Sequence, residues 1–177
     1  TEGLKGYRVG RVLDKMGMTA QDISELYFED VRVPADCLLG GAEGKGMHQL
    51  MGDLPYERIT IALGGVAAME GAAEETARYV RERKAFGHAI AEFQNTKFKL
   101  AEMALRIDAG RLLAYRAVTL KDAGKPCHRE ASMAKLYCSQ AANYVCNEAV
   151  QIHGGYGYIK EYPVERYFRD ARVTEIY

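Results

Sequence analysis

The sequence lacks an excess of charge of either sign and any long apolar run. Its 24 basic and 24 acidic residues cancel, which argues against nucleic acid or an anionic membrane as the main partner. No apolar run approaches the roughly 20 residues needed to span a bilayer, and we find no signal-like amino terminus. Apolar residues nevertheless make up 48% of the chain, which is ample for a hydrophobic core.

The sequence also lacks closely spaced metal or redox ligands. Its four cysteines, at positions 37, 127, 138 and 146, contain no CxxC pair, and its four histidines are scattered. A zinc site normally needs such ligands at short, regular spacing. We therefore expect reduced, buried thiols in a reducing compartment and no metal site.

The first forty residues have no helical pattern. Residues 7–13 are a weak strand candidate, and residues 24–34 contain β-formers in partial alternation that stop at a proline. Two or three strands are too few for a self-sufficient sheet, so we expect the chain to begin partway through a β-domain. Residues 40–46 are rich in glycine but match neither a P-loop nor a dinucleotide fingerprint, and are predicted to be a linker.

The remaining residues have helical periodicity. Helices are predicted at about residues 47–84, 93–122 and 129–152, with a shorter one beginning at Pro163. Their short connections favour an antiparallel four-helix bundle. We thus expect a mainly α fold, with the end of a β-domain and a linker in residues 1–42 and the bundle in residues 43–177. The predicted packing faces are Gly64, Ala68, Ala72 and Thr76 on the first helix, Ala101, Leu105, Ala109, Leu112, Leu113, Ala117 and Leu120 on the second, Ala134, Cys138, Ala141, Val145, Ala149 and Ile152 on the third, and Val164, Tyr167, Phe168 and Ala171 on the fourth.

A charge pair follows a proline in the first helix. Pro55 lacks the N–H that would bond to the carbonyl of Met51, so the helix should bend or loosen there. A bend would allow Glu57 to enter a cleft, whereas charged helical residues are normally exposed. On these residues alone, Glu57 and Arg58 are either a solvated pair or part of a catalytic site.

Three further stretches contain more than packing residues. They read ERKAFG at 82–87 with EFQ at 92–94, QIHGGYGY at 151–158 and EYPVERYFRDAR at 161–172. In this order and at these distances they closely resemble the carboxy-terminal region of the acyl-CoA dehydrogenases. The sequence DVRVP at 30–34, followed by LLG at 38–40, resembles the end of that family's middle β-domain, so the resemblance covers essentially the whole chain.

The resemblance implies that the chain is a fragment of an FAD-dependent flavoenzyme of fatty acid β-oxidation. Such an enzyme oxidises the Cα–Cβ bond of an acyl-CoA thioester to a 2-enoyl-CoA, by α-proton abstraction and hydride transfer to FAD. Electrons then pass to electron-transferring flavoprotein. The family also implies a homodimer or homotetramer with FAD near the subunit interface. A bacterial cytoplasmic location is favoured over the mitochondrial matrix, and the fragment alone is expected to be inactive.

The resemblance also assigns candidate site residues. Arg83 resembles the arginine that contacts the FAD pyrophosphate, a role that suits its fixed fork of donors. The other matches are Phe86 beside the nucleotide, Gln94 as a hydrogen-bond partner of the cofactor in the neighbouring subunit, and Gln151, Gly154 and Gly155 as a turn that touches FAD across the dimer interface. His153 is interpreted as a structural residue of that turn.

The catalytic base is assigned to Glu57 on the same ground. The isovaleryl- and long-chain-like subset of the family has Glu-Arg where Glu57 and Arg58 stand, and carries the base on this helix. Other members carry the base in a loop directly after the segment that matches residues 174–177. Glu57 is therefore the predicted base and Arg58 a substrate-binding residue, and the residue that follows Tyr177 would decide between the two positions.

Three alternatives remain open at this point. Two are enzymes of the same fold that hand electrons to oxygen, an acyl-CoA oxidase or a flavin-dependent monooxygenase. Oxygen consumption without electron-transferring flavoprotein would favour these. The third is a non-catalytic helical interaction domain, against which Arg83, Gln94 and the 151–155 turn argue, because a bundle does not need them for packing.

Overall fold

The computed structural model describes residues 3–177, and the chain divides into two units. The first unit ends at Asp53, and the second spans Leu54–Tyr177. In the first unit, β1 (Tyr7–Val12) pairs antiparallel with β2 (Ser24–Phe28), with Tyr7 opposite Phe28 and Val9 opposite Leu26. Both predicted strands are thus present.

The second strand is shorter than predicted. It ends at Phe28 and does not run to Pro34, because Asp30 adopts a left-handed conformation with a φ of 49° that turns the chain out of the extended form. The backbone N–H of Glu29 donates to Gly6 O at 2.8 Å. Gly6 itself has a φ of 87°, and a Cβ there would lie 2.0 Å from Glu29 O. Only glycine fits at this crossing.

Four helices and a small hairpin follow. They are α1 (Gly46–Glu82), β3 (Lys84–Ala85), β4 (His88–Ala89), α2 (Gln94–Asp122), α3 (His128–His153) and α4 (Val164–Ala171). Short 3₁₀ turns at Ile90–Glu92, Gly154–Tyr158 and Arg172–Glu175 join or end them. This confirms the predicted mainly α, four-helix fold. No helix within residues 3–177 is both long and apolar enough to cross a membrane.

The predicted disturbance at Pro55 does not interrupt α1. The helix continues through Pro55, whose ring is buried. The helix ends at Glu82, two residues earlier than predicted, because Lys84 and Ala85 pair instead with Ala89 and His88. This hairpin was not predicted, since its strands are only two residues long.

The helices pack closely because small residues face one another. A Cβ added to Gly65 on α1 would lie 3.2 Å from Cys138 O on α3. A Cβ added to Gly110 on α2 would lie 3.2 Å from Met69 Cε and 3.3 Å from Cys138 Sγ. Three helices therefore meet around Cys138, and the core contains many alanines.

Burial keeps two of the thiols protonated. Burial raises the pKa of Cys138 to about 11 and that of Cys146 to about 12, so neither is a nucleophile at neutral pH. The expectation of buried thiols is wrong for Cys37, which is exposed, because it lies in a short surface turn and not on a helix of the core.

Sequence periodicity predicted the packing face of α3 correctly and that of α2 only in part. On α2, the predicted Ala117 is buried, and Leu113 and Leu120 pack against the core. Leu105 and Leu112 are 63% and 70% exposed. The buried side of α2 consists of Met103, Ile107, Gly110, Ala114 and Ala117. Because α2 carries apolar residues on more than one side, its pattern does not identify the inner one. The same ambiguity explains why Gly64 is exposed and Gly65 is buried on α1, and why Phe168 on α4 is exposed.

We expect Met103→Ala to lower the free energy of unfolding of the chain by about 2–5 kcal/mol, because Met103 is fully buried and its truncation leaves a cavity. Leu136→Ala on α3 is the matched control. Leu136 is 60% exposed, so its truncation should cost less than about 1 kcal/mol. Urea unfolding curves of the two variants measure the difference, and equal losses would contradict the core described above.

Candidate functional site

A strained aromatic residue forms the tip of the β3–β4 hairpin. Phe86 and Gly87 have φ values of 53° and 84°, the pattern of a two-residue type I′ turn. Glycine suits the second position, but a bulky residue in a left-handed conformation is unfavourable. Phe86 is also 94% exposed, so the hairpin holds an aromatic ring out from the surface.

The turn after α3 depends on glycine. Gly154 has a φ of 59° and a ψ of −134°, a combination that is open to glycine and strained for other residues. A Cβ on Gly157 would lie 2.4 Å from Val150 O, whereas Cβ atoms on Gly154 and Gly155 would meet nothing within 4 Å. The turn is thus packed on one side, and its backbone is open on the other.

The open side of this turn and the residues around the end of α1 line one cavity of about 590 Å³. Its walls are Tyr79, Arg83, Ile90, Ile152, His153, Gly154, Gly155, Tyr156 and Ile159. Within residues 3–177, Arg83 forms no ion pair. Its guanidinium Cζ lies 5.2 Å from the centre of the Tyr156 ring, which is a cation–π contact. Arg83 therefore retains its capacity to bind an anion.

Four rings form an aromatic cluster beside this cavity, and they are Tyr79, His153, Tyr156 and Tyr162. The rings of Tyr79 and His153 are stacked, with centroids 4.1 Å apart and planes at 21°. Tyr162 meets Tyr79 edge-on at 5.7 Å and lies 5.4 Å from Tyr156. The cluster joins α1 to the residues that follow α3.

Two hydrogen bonds hold the stacked pair. The Tyr79 hydroxyl donates to His153 O at 3.2 Å, and His153 Nδ1 lies 2.8 Å from Ala149 O, so Nδ1 is assigned the proton and donates. Burial lowers the pKa of His153 and raises the pKa of Tyr79, since burial disfavours the charged form of each. Both side chains are neutral at pH 7, which leaves Arg83 as the charge that lines the cavity.

The predicted FAD-binding residues are brought together only in part. Arg83, Gly154 and Gly155 line the cavity, and Gln151 is exposed one turn earlier, at the end of α3. Phe86 and Gln94 lie outside the cavity and are exposed. An unpaired guanidinium, accessible glycine backbone and aromatic faces are the groups that bind a nucleotide phosphate. The residues present therefore fit the pyrophosphate of a dinucleotide.

Sequence reasoning missed the two tyrosines that line this site, Tyr79 and Tyr156. Tyr79 precedes Arg83 by four residues on a helix, so the two share a face. That spacing could have identified Tyr79 as a neighbour of Arg83 from the sequence. Tyr156 has no comparable signal, because its contact with Arg83 joins residues far apart in the chain.

The predicted base and substrate-binding residue lie elsewhere. Glu57 is exposed, while Arg58 is half-buried and donates from Nη1 to Ser132 Oγ at 3.1 Å. Glu57 lies on α1, and Arg83 is the first residue after the end of that helix. The 26 residues between their positions correspond to about 39 Å of helix. The structure therefore separates the two predicted sites. No group of three or more His, Cys, Asp or Glu side chains that could hold a metal ion occurs in residues 3–177.

One turn of α3 contacts both Arg58 and the end of the chain. Lys135 Nζ donates to Tyr177 O at 2.6 Å, and Ser132, which binds Arg58, lies three residues earlier on α3. The Ser132 hydroxyl in turn donates to His128 O at 2.7 Å. Arg58 and Tyr177 therefore lie at the same end of the bundle.

Comparison with known proteins identifies relatives over nearly the whole chain. The family described as acyl-CoA dehydrogenase, C-terminal domain, matches residues 44–177. The mitochondrial long-chain specific acyl-CoA dehydrogenase of Mus musculus is 47% identical over 99% of this chain and 40% of its own length. The caffeyl-CoA reductase–Etf complex subunit CarC of Acetobacterium woodii is 44% identical over 98% of this chain and 45% of its own length. The structure of butyryl-CoA dehydrogenase from Megasphaera elsdenii has a TM-score of 0.95 and 43% identity, over 99% of this chain and 46% of that one. The chain thus spans less than half the length of these relatives.

We expect Gly154→Ala to destabilise the chain by about 1–3 kcal/mol, because alanine is strained in the backbone conformation of Gly154 although its Cβ meets no other atom. Gly155→Ala is the matched control, since its Cβ also meets nothing and its φ is not positive. The control should shift the free energy of unfolding by less than about 0.5 kcal/mol. Thermal or urea unfolding of both variants checks this, and equal stability would argue against the conformation of Gly154.

We expect His153 to make stability depend on pH. The pKa of His153 is lowered in the folded state from its usual value of 6.5, so the unfolded chain binds more protons as the pH falls through that value. The His153 contribution is therefore complete well above pH 6.5 and is lost as the pH falls below that value towards the lower pKa of the folded state. Urea unfolding is measured at pH values on both sides of 6.5. As the pH falls, the free energy of unfolding should decrease less in His153→Gln than in wild type. An unchanged loss would contradict the prediction.

Proposed function

The chain belongs to the acyl-CoA dehydrogenase family, and we propose that it is the carboxy-terminal part of an FAD-dependent acyl-CoA dehydrogenase. The whole protein would convert an acyl-CoA thioester to a 2-enoyl-CoA. The observation that carries the proposal is the convergence of Arg83, Gly154 and Gly155 on one cavity with the groups that a pyrophosphate requires. Within this protein, residues 1–42 would be the end of a β-domain and its linker, and residues 43–177 the helical domain. The family match from residue 44 supports that boundary.

The chain would hold the cofactor through the residues of this cavity and its rim. The Arg83 guanidinium would pair with the pyrophosphate, and the open backbone of Gly154 and Gly155 would allow close approach of the nucleotide. The remaining proposed contacts come from Gln94, Gln151 and the exposed ring of Phe86. When bound, FAD supplies the acceptor for the hydride that leaves the β-carbon of the substrate.

The separation of the two sites supports a homo-oligomer. About 39 Å of helix divides Glu57 from Arg83, which is further than one FAD extends between its pyrophosphate and its flavin ring. We therefore propose that the two residues serve different FAD molecules, with Arg83 reaching the cofactor of a neighbouring subunit. A dimer or tetramer satisfies this requirement.

An apolar stripe on α2 gives independent support for the homo-oligomer. Phe98, Leu105 and Leu112 are all exposed and recur every seven residues, and Tyr115 extends the same stripe. A seven-residue repeat places these side chains on one line along the helix. Exposed apolar lines of this kind normally pack against another protein surface, and a helix of a second subunit is the partner we propose.

Glu57 is proposed as the catalytic base, with Arg58 beside the substrate. A proton α to a thioester is weakly acidic, so its removal needs a carboxylate in a dry site and donors that stabilise the resulting negative charge on the thioester oxygen. Glu57 is exposed in this chain, so the dry environment would come from the substrate and from the rest of the protein. The bond between Arg58 and Ser132 holds the neighbouring cation in place.

The alternative base position lies at the same end of the bundle. Ser132 binds Arg58, and Lys135, one turn later on α3, binds Tyr177. A base that followed Tyr177 would therefore start from near Arg58, the neighbour of Glu57 in the sequence. Of the acidic residues near this end of the bundle, Glu57 is the one that we propose as the base.

A reductase is the second candidate function. The same residues serve both directions of the reaction, because a protonated Glu57 would return the proton to the α-carbon of a 2-enoyl-CoA. The similarity to a subunit named for a caffeyl-CoA reductase–Etf complex favours this candidate. That name also supports electron-transferring flavoprotein as the redox partner. We propose a bacterial cytoplasmic location, with the mitochondrial matrix as the alternative.

We expect Glu57→Gln in the full-length protein to lower kcat/KM for acyl-CoA by about 10²–10⁴-fold, because it removes a general base without changing side-chain size. Flavin absorbance should remain, since Glu57 is not among the proposed contacts to FAD. Anaerobic bleaching of the flavin by an acyl-CoA substrate, followed by turnover with electron-transferring flavoprotein, measures the effect.

Glu161→Gln, at an exposed position outside both sites, is the control and should retain activity. Retained activity in Glu57→Gln would show that Glu57 is not the base, and the segment after Tyr177 would then be the candidate. Turnover with oxygen and without electron-transferring flavoprotein would instead favour an oxidase or monooxygenase of the same fold.

A further inference from the structure

The two halves of the proposed pyrophosphate site lie on different elements. Arg83 directly follows α1, whereas Gly154 and Gly155 begin the turn after α3. A pyrophosphate that contacts both halves requires a defined distance between them. Whatever holds the end of α1 against the end of α3 therefore controls how well the site is formed before the ligand arrives.

Tyr79 and His153 occupy the position between these halves. Tyr79 is one helical turn before Arg83, and His153 is immediately before Gly154. Their rings stack at 4.1 Å, and the Tyr79 hydroxyl donates to His153 O at 3.2 Å. That carbonyl belongs to the peptide that enters Gly154, so the hydrogen bond acts directly on the residue whose positive φ forms the turn.

The orientation of His153 is held from three sides. Its Nδ1 donates to Ala149 O at 2.8 Å, Tyr79 covers one face, and Tyr162 meets the ring at 5.8 Å and 66°. Only 3% of His153 is exposed. A ring held in this way cannot turn without breaking the stack, so it fixes the last turn of α3 relative to Tyr79.

We propose that Tyr79 and His153 are positioning residues that hold the Gly154–Gly155 turn at the correct distance from Arg83 and thereby set the affinity for a dinucleotide pyrophosphate. The inference rests on the proposed function, since it takes FAD as the ligand. Preorganisation raises affinity because the apparent dissociation constant equals the intrinsic one divided by the fraction of binding-competent molecules. Loosening the turn lowers that fraction without removing any group that contacts the ligand.

Tyr79→Phe tests the proposal most directly. This change removes the hydroxyl that donates to His153 O and retains the stacked ring. Tyr162→Phe is the matched control, because Tyr162 belongs to the same aromatic cluster and its hydroxyl makes no hydrogen bond within residues 3–177. The full-length protein and both variants are freed of flavin and titrated with FAD, with the quenching of flavin fluorescence as the signal.

The second measurement is hydrogen exchange in the same apoproteins, followed by mass spectrometry. It compares the segment that contains Gly154–Tyr158 with segments of α2. We expect Tyr79→Phe to raise the Kd for FAD about fivefold or more and to speed exchange in the turn. Exchange in α2 should be unchanged, which separates a local positioning role from general loss of stability. Tyr162→Phe should leave both quantities unchanged.

The outcomes distinguish this inference from the proposed function. If wild type binds FAD and Tyr79→Phe binds it equally well, the positioning role is wrong and the proposed function stands. Faster exchange throughout α2 in Tyr79→Phe would likewise overturn the positioning role, since the residue would then be merely structural. If the full-length wild type does not bind FAD, the proposed function fails, and the ligand assigned in this inference fails with it.

Discussion

Close approach of three helices around Cys138 is the constraint on which the rest of the bundle depends. The positions of Gly65 and Gly110, where α1 and α2 meet α3, have too little room for a side chain. The core is consequently built from alanines and a few larger residues such as Met69 and Met103. Because an interior packed this densely is hard to compress or rearrange, the long α1 is held at a defined place against α3.

The length of α1 then separates the chemistry into two regions. At one end, α3 contributes Ser132 to hold Arg58, and at the other it contributes His153 to hold Tyr79. In both contacts, a side chain of α1 donates a hydrogen bond to an oxygen of a residue on α3. A chain with this arrangement is suited to contribute to two cofactor sites, one at each end, and this is why a homo-oligomer follows from the proposed function.

The hairpin and the turn after α3 both place a residue with positive φ near the proposed cofactor site. Phe86 holds a left-handed conformation that a bulky residue disfavours, and Gly154 holds one that glycine alone adopts easily. The surrounding structure supports Gly154 through Tyr79 and His153. Phe86 has an edge-on contact with Phe93 at 6.4 Å and is otherwise open, in keeping with a ring that binds a ligand or another subunit.

Local pattern determined the helices of this protein and the buried face of α3, whereas Arg83, Gly154 and Gly155 were singled out as site residues by their resemblance to motifs of a known family. Helix periodicity and glycine stops are properties of neighbouring residues, so one sequence suffices to predict them. Tertiary structure alone decided which of the apolar sides of α2 is buried, because that depends on which neighbour approaches closely enough to require Gly110. It also decided the pairing of Tyr79 with His153 and of Arg83 with Tyr156. These contacts join residues that are remote in the chain, and no local pattern contains the geometry that brings them together.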